Sequence, residues 1–408
     1  MANMAEVGKK ETPSDCWVHL EVRKKGGIQI ELKSKVESLY GEAIRKTAKQ
    51  MIKFFDIQNA LLRIEDSGSL PFVLTARIEA AVKNCFPQKK KDFLAPILPQ
   101  NLYQVKRDRF RRSRLYIPGD QPRLIINAGI YKPDGIILDL EDAVAPTEKE
   151  SARLIVRNAL REVDFLGAER MVRINPLPMG IRDLDFIIPH GVHTVLIPKC
   201  EDAETVKKFD AHIQVLRKKS RTKNEIYLMP IVESALGAIN AYEIAKASPN
   251  NIALTIGLED FTADIGAERT LEGRESFLAR LQVVLAARSA GIQPIDSVFS
   301  DVEDEEGLRK STLEAKSLGF EGKGCIHPGQ IRIVHESLAP SEKEIERAKK
   351  ISLALEEAQK RGSGVVALGS KMIDPPVVKR AQRILNLAIQ NNQIPANWKE
   401  EFKNEGKK

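Results

Sequence analysis

The protein has 408 residues, of which 42% are hydrophobic and 29% are charged, proportions typical of a soluble globular protein. This length exceeds what one ordinary domain needs, so we expect one large domain and one small one. No apolar run is long enough to span a bilayer, and no apolar segment of a secretory signal follows the first lysines, so we expect a cytoplasmic protein without a membrane partner.

The formal net charge of +8 is partly concentrated in two basic runs, at residues 89–91 and 106–114. Neither run lies on a helical face interleaved with aromatic residues, which make up only 5% of the chain, so a nucleic-acid partner is not expected. We interpret both runs as solvated linker. A net positive charge also suits a protein that binds polyanions.

The cysteines indicate neither a disulfide framework nor a zinc knuckle, because they lie far apart and form no C-x-x-C pair. They are Cys16, Cys85, Cys200 and Cys325. His190 and His193 lack further ligands at a suitable spacing, so this pair is not favoured as a metal site.

The first segment of the chain alternates short strand patterns with helical ones. The strand-like runs are WVHLEV, GIQIEL and ALLRIED, and helical patterns cover about residues 35–55 and 74–83. We predict a small α+β domain over residues 1–86. A linker is predicted over residues 87–110, where prolines and a charge run interrupt any periodicity.

Apolar strand patterns then alternate with helical patterns such as ALGAINAYEIAKAS. The strand patterns are RLYIP, GIILDLED, MVRINP, TVLIPK, IYLMPIVES, IALTIGLEDF, PIDSVFSD and KGCIHP. About eight strands and eight helices over about 250 residues predict an α/β fold of the (β/α)8 TIM barrel type, placed over residues 111–345. A doubly wound sheet is the alternative. A C-terminal helical extension, interrupted by a glycine-rich loop, is predicted over residues 346–392, with a polar tail over 393–408.

Acidic residues follow several predicted barrel strands. Glu233 and Asp260 close the fifth and sixth strands, and neighbouring strand ends in a barrel lie close enough for two carboxylates to share one ion. Magnesium prefers oxygen ligands, few of them protein carboxylates, with water and substrate completing the octahedron. The sequence therefore favours a magnesium site at these two acids. For either acid alone, capping the next helix or pairing with an arginine is an equally good interpretation.

Arg173 ends the third predicted strand, so its guanidinium is expected at the same face of the barrel. A guanidinium there can hold a carboxylate or a developing negative oxygen. A structural ion pair with Glu141 or Asp142 is the alternative, and both hold if these acids orient the arginine. Lys199 and Glu201, after the fourth strand, are expected to form a similar supporting pair.

Motifs across the larger domain carry a family resemblance. In chain order they include RSRLYIPGD, LDLEDAV, VRINP, LIPKCED, PIVESALG, GLEDFTADIG, GKGCIHPGQI and GSKMIDPP. Together they resemble the citrate lyase β-subunit in the HpcH/HpaI aldolase/citrate lyase family, with its malyl-CoA and citramalyl-CoA lyase relatives. The N-terminal segments GIQIELKSKVESLYGEAIRKTAKQMI and RIEDSGSLPFVLTARIEAAV resemble the acyl carrier (γ) subunit of citrate lyase. The resemblance implies carrier and lyase domains fused in one polypeptide.

This resemblance implies a Mg²⁺-dependent lyase that cleaves a 3-hydroxy acyl thioester such as a citryl thioester. Glu233 and Asp260 would hold the metal, and Arg173 would stabilise developing negative charge. Asp374, in GSKMID, matches an aspartate that acts as general acid/base in a neighbouring subunit's site, which implies a homo-oligomer, a homotrimer. Without the resemblance, Asp374 before two prolines would be interpreted as a turn or helix-start residue.

The carrier resemblance implies a phosphoribosyl-dephospho-CoA arm on a serine in a Gly-Thr-x-x-Ser-Ser-Asp-like segment. The matching stretch is KKETPSDCWV, where Pro13 replaces the first serine and only Ser14 precedes Asp15. Either Ser14 carries the arm after a shift of one residue, or the carrier is unmodified and Ser14 begins a turn. Arg123 is a candidate contact for the thioester arm, and a citrate:acetyl-carrier transferase subunit is a candidate partner.

Three functions remain open at this point. The first is a citryl-thioester lyase with its own carrier domain. The second is a lyase of free malyl-CoA or citramalyl-CoA with a vestigial carrier, which the departure at Pro13 keeps open. The third is a non-catalytic acyl carrier or scaffold subunit. The retained Arg173, Glu233, Asp260 and Asp374 argue against the third.

Overall fold

The computed structural model describes residues 4–222, 224–360, 366–368 and 371–400. The chain forms two compact units, Met1–Val334 and His335–Lys408. Across the described part of the chain, every helix is too short or too polar to cross a membrane.

The first unit begins with a small α+β domain, as the sequence predicts. Its elements are β1 Met4–Val7, β2 Cys16–Val22, β3 Ile28–Ser34, α1 Glu37–Phe54, β4 Ala60–Asp66 and α2 Pro71–Cys85. The sheet has the order β1-β2-β4-β3, in which only β3 and β4 run parallel. Strand β1 was not predicted, because a strand of only four residues is too short to show an alternating side-chain pattern.

A closed barrel of eight parallel strands follows, which confirms the predicted fold and all eight predicted strands. The strands are β5 Ser113–Pro118, β6 Gly135–Asp139, β7 Glu169–Arg173, β8 Thr194–Ile197, β9 Tyr227–Val232, β10 Ala253–Ile256, β11 Gln293–Asp296 and β12 Gly322–Cys325. The helices are α3 Pro122–Ile126, α4 Lys149–Glu162, α5 Met179–Ile187, α6 Ala203–Ser220, α7 Ala235–Ile239, α8 Ala241–Lys246, α9 Leu258–Asp264, α10 Phe277–Ser289, α11 Glu305–Leu318 and α12 Gly329–Leu338.

Apolar side chains on alternate strand positions fill the barrel interior, as the period of a strand requires. They include Ile137, Met171, Leu196, Met229 and Ile295, which belong to one buried cluster. At the intervening positions of several strands, the side chains face outward and are also apolar and buried, so both faces of the sheet are covered. This arrangement leaves the carboxyl ends of the strands and their loops to form the site.

The small domain packs firmly against the barrel through α2, nearly all of which is buried. Arg77 binds Asp15 through Nε (3.0 Å) and Nη2 (2.7 Å), and its Nη1 donates to Ser151 of α4 (2.5 Å). Arg157 of α4 forms two hydrogen bonds to Glu79 of α2, at 2.9 and 2.8 Å. The buried Arg157–Glu79 ion pair and the hydrogen bond from Arg77 to Ser151 cross the interface and fix the small domain to the barrel.

The predicted linker is irregular, and the adjoining basic run starts exposed but ends with two buried arginines. Arg111 is completely buried and pairs with Glu169 (2.8 Å), at the start of β7, while Arg114 is 1% exposed. Arg107 donates to the carbonyls of Pro249 and Asn251, both at 2.6 Å. The solvated interpretation is wrong for Arg111 and Arg114, which are buried, whereas Arg107 is exposed even though it binds two backbone carbonyls.

The second unit contains α13 Glu342–Lys360, β13 Val366–Leu368, β14 Lys371–Ile373 and α14 Pro375–Gln390. The two long helices match the predicted extension, but part of its glycine-rich loop forms an antiparallel pair of strands. Ile394 and Trp398, which the sequence analysis assigned to a polar tail, are buried in this unit's core with Leu385. Residues 401–408 of that tail lie outside the described residues.

Candidate active site

A cavity of about 410 Å³ opens at the carboxyl ends of the barrel strands. The sequence-predicted residues Asp142, Arg173, Glu233 and Asp260 all line it. These four come from four different strand ends or following loops, so the barrel brings together residues that are far apart in the sequence.

Glu233 follows β9 and is only 5% exposed. Its Oε1 accepts a hydrogen bond from the backbone nitrogen of Lys199 (2.5 Å). Gly257 makes room for it, because a Cβ at that position would lie 2.6 Å from Glu233 Oε2. Burial raises the pKa of Glu233 to about 8, and the negative charges of Asp260 and Glu141 add to the rise. The environment therefore disfavours the ionised carboxylate unless a cation joins it.

Asp260 lies in the first turn of α9 and is exposed at the mouth of the cavity. Its negative charge helps to raise the pKa of Glu233, so the two acids are neighbours. In the described part of the chain, no group of three or more histidine, cysteine or acidic side chains is arranged to hold a metal. Two carboxylates with open space beside them fit Mg²⁺, which retains several water or substrate ligands.

Arg173 is held from two sides by carboxylates. Asp139 accepts hydrogen bonds from its Nε (2.8 Å) and Nη2 (2.5 Å), and Glu141 lies 2.8 Å from its Nη1. Burial alone would lower the pKa of Arg173, but the hydrogen bond and charge of Asp139 raise it above its ordinary value. The guanidinium is therefore charged and oriented before any ligand binds.

The sequence analysis named Glu141 as a partner of Arg173 but missed Asp139. The signal was present in β6, where Gly135, Ile137 and Asp139 occupy alternate positions and so share a face. Because three acids stand close together in LDLED, only the strand register shows which one faces into the barrel.

The expected pairing of Lys199 with Glu201 is wrong, because Lys199 pairs with the supporting acids Glu141 and Asp142. Its Nζ lies 2.8 Å from Glu141 and 3.3 Å from Asp142. Its backbone adopts a left-handed conformation (φ 47°), which orients the same residue's N–H toward Glu233. Lys199 thus links the arginine side of the cavity to the acidic side.

Two residues of β5, Arg114 and Tyr116, also line the cavity, and the sequence analysis assigned neither to the site. The guanidinium carbon of Arg173 lies 5.3 Å from the centre of the Tyr116 ring. Arg114 had been included in the basic run. Arg114 and Tyr116 occupy alternate positions of β5, and this spacing was the available signal that the two side chains share one face of the strand.

Ser14, Arg123 and the supporting acid Glu141 do not line the cavity. Ser14 is in a turn after Pro13, has a left-handed backbone (φ 62°) and donates its N–H to the carbonyl of Ser67 (3.1 Å). Arg123 is exposed on α3. Asp374 belongs to the second unit, where it precedes α14, is exposed and makes no capping hydrogen bond through its side chain.

Residues 112–328 match the family described as HpcH/HpaI aldolase/citrate lyase. The chain belongs to this family. Over 293 residues it is 40% identical to a relative from Leuconostoc mesenteroides subsp. cremoris named "Citrate lyase subunit beta", covering 71% of this chain and 97% of the relative. It is 34% identical over 293 residues to the mouse protein named "Citramalyl-CoA lyase, mitochondrial", covering 68% of this chain and 86% of that relative. The resemblance inferred from the motifs is confirmed.

A solved member of the family is the CitE protein of Mycobacterium tuberculosis in complex with magnesium, acetoacetate and coenzyme A. It superposes with a TM-score of 0.56 at 29% identity, covering 69% of this chain and 99% of that chain. Residues 3–85 match a second family, an acyl carrier type described as malonate decarboxylase delta subunit (MdcD). The chain therefore joins a carrier-type domain to a carbon–carbon lyase domain.

Proposed function

We propose that this protein is a Mg²⁺-dependent carbon–carbon lyase that cleaves a citryl thioester to oxaloacetate and an acetyl thioester. The observation that carries the proposal is the cavity at the barrel mouth, where Glu233 and Asp260 face the same space as Arg173. The similarity to proteins named citrate lyase subunit beta supports this choice of acyl group. Magnesium in the CitE structure supports the choice of metal.

The reaction is a retro-Claisen cleavage. The substrate hydroxyl loses its proton, and the electron pair on its oxygen forms the new carbonyl of oxaloacetate. The adjacent carbon–carbon bond breaks, and its electron pair passes to the thioester as an enolate. A proton added to the enolate carbon then gives the acetyl thioester, so the proton taken from the hydroxyl is balanced by the one returned to carbon.

Glu233 and Asp260 would hold the magnesium ion through their carboxylate oxygens. When bound, Mg²⁺ polarises the substrate hydroxyl and its neighbouring carboxylate and so favours loss of the hydroxyl proton. The high pKa of metal-free Glu233, about 8, fits this role because a cation would compensate for the buried charge.

Arg173 is proposed to stabilise negative oxygen as charge develops. Asp139 accepts hydrogen bonds from two of its five N–H donors and Glu141 forms only an ion pair with it, so further donors remain for the substrate. Because its partners fix the guanidinium in advance, little reorganisation accompanies the reaction, which is the condition under which such groups are most effective.

Asp374 is proposed as the general acid/base, supplied by a neighbouring copy in a homotrimer. Its exposed carboxylate makes no capping hydrogen bond with α14, although helix-start aspartates commonly do. This leaves the side chain available for a partner outside its own helix.

Ser14 is proposed to carry the phosphoribosyl-dephospho-CoA arm, which would deliver acyl groups from a transferase subunit. Support comes from the carrier-type domain and from the position of Ser14 in a turn that is only half-buried. The exposed Arg123 is proposed as a contact for that arm.

The second candidate function is cleavage of free citramalyl-CoA or malyl-CoA. Pro13 and the 34% identity to a protein named citramalyl-CoA lyase favour it. In that case the carrier-type domain would serve only as a structural part of the molecule.

The test is a substrate panel with the full chain and Mg²⁺. Citryl-CoA, citramalyl-CoA and malyl-CoA are supplied in turn, and release of oxaloacetate, pyruvate or glyoxylate is measured. We expect the highest kcat/KM with the citryl thioester. Fastest cleavage of citramalyl-CoA or malyl-CoA would instead favour the second candidate, and release of no keto acid from any thioester would refute a lyase.

The same panel tests Asp374. We expect Asp374→Asn to lose turnover while still binding product and metal, because the amide keeps the shape but cannot exchange the proton. Glu342→Gln, which changes another exposed acid of the second unit, is the matched control and should keep full activity.

A further inference from the structure

Arg114 is a charged residue inside the barrel, where the side chains are otherwise largely apolar. It lies on β5 and is 1% exposed, on the same strand face as Tyr116. Barrel interiors are ordinarily filled by branched apolar side chains, and a buried guanidinium is costly unless a carboxylate pairs with it. The position of Arg114 therefore needs an explanation.

The contacts of Arg114 are weak for a buried cation. Its Nη1 lies 3.1 Å from the sulfur of Met229, and its Nη2 lies 3.4 Å from both Thr255 Oγ1 and the carbonyl oxygen of Asp296. Its Nε has no hydrogen-bond partner within the described part of the chain. By contrast, the buried Arg111 has a carboxylate partner in Glu169.

Asp296 is the residue whose backbone carbonyl Arg114 contacts, but its side-chain carboxylate is engaged elsewhere. Lys323 Nζ lies 2.6 Å from it, and Arg280 Nε lies 3.2 Å from it. Two cations thus already compensate for this carboxylate. The positive charge of Arg114 remains without an anionic partner among the described residues.

Arg114 lines the same cavity as Arg173, Glu233 and Asp260. Those three residues follow or end their strands, whereas Arg114 is the second residue of β5 and so lies deeper in the barrel. The guanidinium therefore forms part of the floor of the cavity, with the proposed metal site and the mouth above it.

We infer that Arg114 binds the distal carboxylate of the acyl group and thereby selects a citryl thioester over citramalyl and malyl thioesters. The inference rests on the proposed lyase function and specifies its substrate. The carbon that bears the hydroxyl has four substituents: the hydroxyl, a carboxylate, the CH₂ that leads to the thioester, and one more. With the first two at the metal and the thioester directed to the mouth, the fourth points to the floor.

The fourth substituent is what distinguishes the three thioesters. It is a CH₂-carboxylate in the citryl group, a methyl in the citramalyl group and a hydrogen in the malyl group. Only the carboxylate supplies the partner that Arg114 lacks. A site built around a buried polar group rejects ligands that leave it unpaired far more strongly than an apolar pocket rejects a missing methyl group.

The test compares Arg114→Met and Arg114→Lys with the wild type on citryl-CoA and citramalyl-CoA. Methionine retains length and suits the neighbouring Met229 but removes the charge. For Arg114→Met we expect kcat/KM on citryl-CoA to fall about 100-fold or more, and the value on citramalyl-CoA to stay within about threefold or to rise. Arg114→Lys should recover part of the citryl activity.

Binding of the products gives a readout that does not depend on turnover. Calorimetry in Mg²⁺ should show that the wild type prefers the dianion oxaloacetate to the monoanion pyruvate and that Arg114→Met loses this preference. If Arg114→Met does not fold, Arg114→Lys and the wild-type preference decide the question, and equal wild-type binding of both products would overturn the inference.

The failures of the function and of the inference are distinguishable. A wild type that cleaves citryl-CoA, with a variant that cleaves it equally well, overturns the role of Arg114 and leaves the lyase function standing. An equal loss on both thioesters also overturns it, because that loss indicates a structural role. A wild type that cleaves no thioester refutes the proposed function itself.

Discussion

Glu233 combines deep burial with a neighbouring acid, and its ionisation is therefore tied to the presence of a cation. The pKa of Glu233 is about 8, so at a pH below this value the metal-free protein holds a proton on this carboxyl group. A metal ion must displace that proton to bind, so proton release and metal binding are linked. At a pH above this pKa the carboxylate is already ionised, and metal binding no longer releases a proton.

This linkage predicts the pH dependence of magnesium affinity. The affinity should rise by up to about tenfold per pH unit below pH 8 and level off above it. Calorimetry in buffers of different ionisation enthalpy would measure the protons released, which should approach one per Mg²⁺ at neutral pH. Release of no protons at neutral pH by a protein that binds Mg²⁺ would contradict the raised pKa, and Glu233→Gln is the control that removes the titrating group.

At the residue scale, the sequence indicated the acids but not their partners. Glu233, Asp260 and Arg173 were recognisable because each stands at the end of an apolar strand pattern. Asp139 and Arg114 were missed because charge ordinarily marks the exposed face of a strand. Only the register of the closed barrel shows that these two face inward.

The interface between α2 and α4 is the element that joins the small domain to the barrel. The pair Glu79 and Arg157 is fully buried there, and Asn158 donates hydrogen bonds to Phe72 O (3.1 Å) and Thr75 Oγ1 (3.0 Å). The hydrophobic pattern of α2 predicts a helix, but it gives no indication that a second domain covers its other face. The pairing of polar groups across the interface appears only in three dimensions.

Removing one partner of this pair should destabilise the protein strongly. We expect Arg157→Met to lower the free energy of unfolding by about 3 kcal/mol, because the buried Glu79 would lose two hydrogen bonds and keep only Lys83, at 2.9 Å, as a cationic partner. The double variant Glu79→Leu with Arg157→Met should recover most of the loss. Urea unfolding followed by circular dichroism measures both effects.

Arg182→Met is the matched control for this experiment. Arg182 pairs with Glu150 at the surface, where such pairs contribute about 0–1 kcal/mol. If Arg157→Met and Arg182→Met had equally small effects, the interface could not be what fixes the small domain to the barrel.

Element boundaries followed from the sequence where the pattern was long and failed where it was short. The eight barrel strands were predictable from apolar runs, whereas β1 and the hairpin of β13 and β14 contain too few residues to show a period. The pattern ALGAINAYEIAKAS predicted one helix, but α7 ends at Ile239 and α8 begins at Ala241. Asn240 lies between them and donates its side-chain N–H to the carbonyl of Glu201 (2.8 Å), which favours the break.

At the scale of the whole molecule, the order of domains was readable from the sequence, but the way they pack was not. Within the first unit, the buried ion pair of Glu79 and Arg157 binds the carrier-type domain to the barrel, and Lys9 of that domain lies 3.0 Å from Asp120 in the loop after β5. The segment that contains Ser14 is therefore held beside a loop on the carboxyl side of the barrel. This placement suits a carrier that serves its own barrel.

The most direct test of the central claim is the metal dependence of carbon–carbon cleavage. Oxaloacetate release from citryl-CoA is measured with Mg²⁺, after EDTA and after Mg²⁺ is restored, for the wild type, Asp260→Asn and the control Glu268→Gln, which changes an exposed acid. We expect the wild type and Glu268→Gln to lose activity in EDTA and regain it with Mg²⁺, and Asp260→Asn to be inactive throughout. Undiminished release by the wild type in EDTA, or by Asp260→Asn in Mg²⁺, would contradict a catalytic magnesium ion between Glu233 and Asp260.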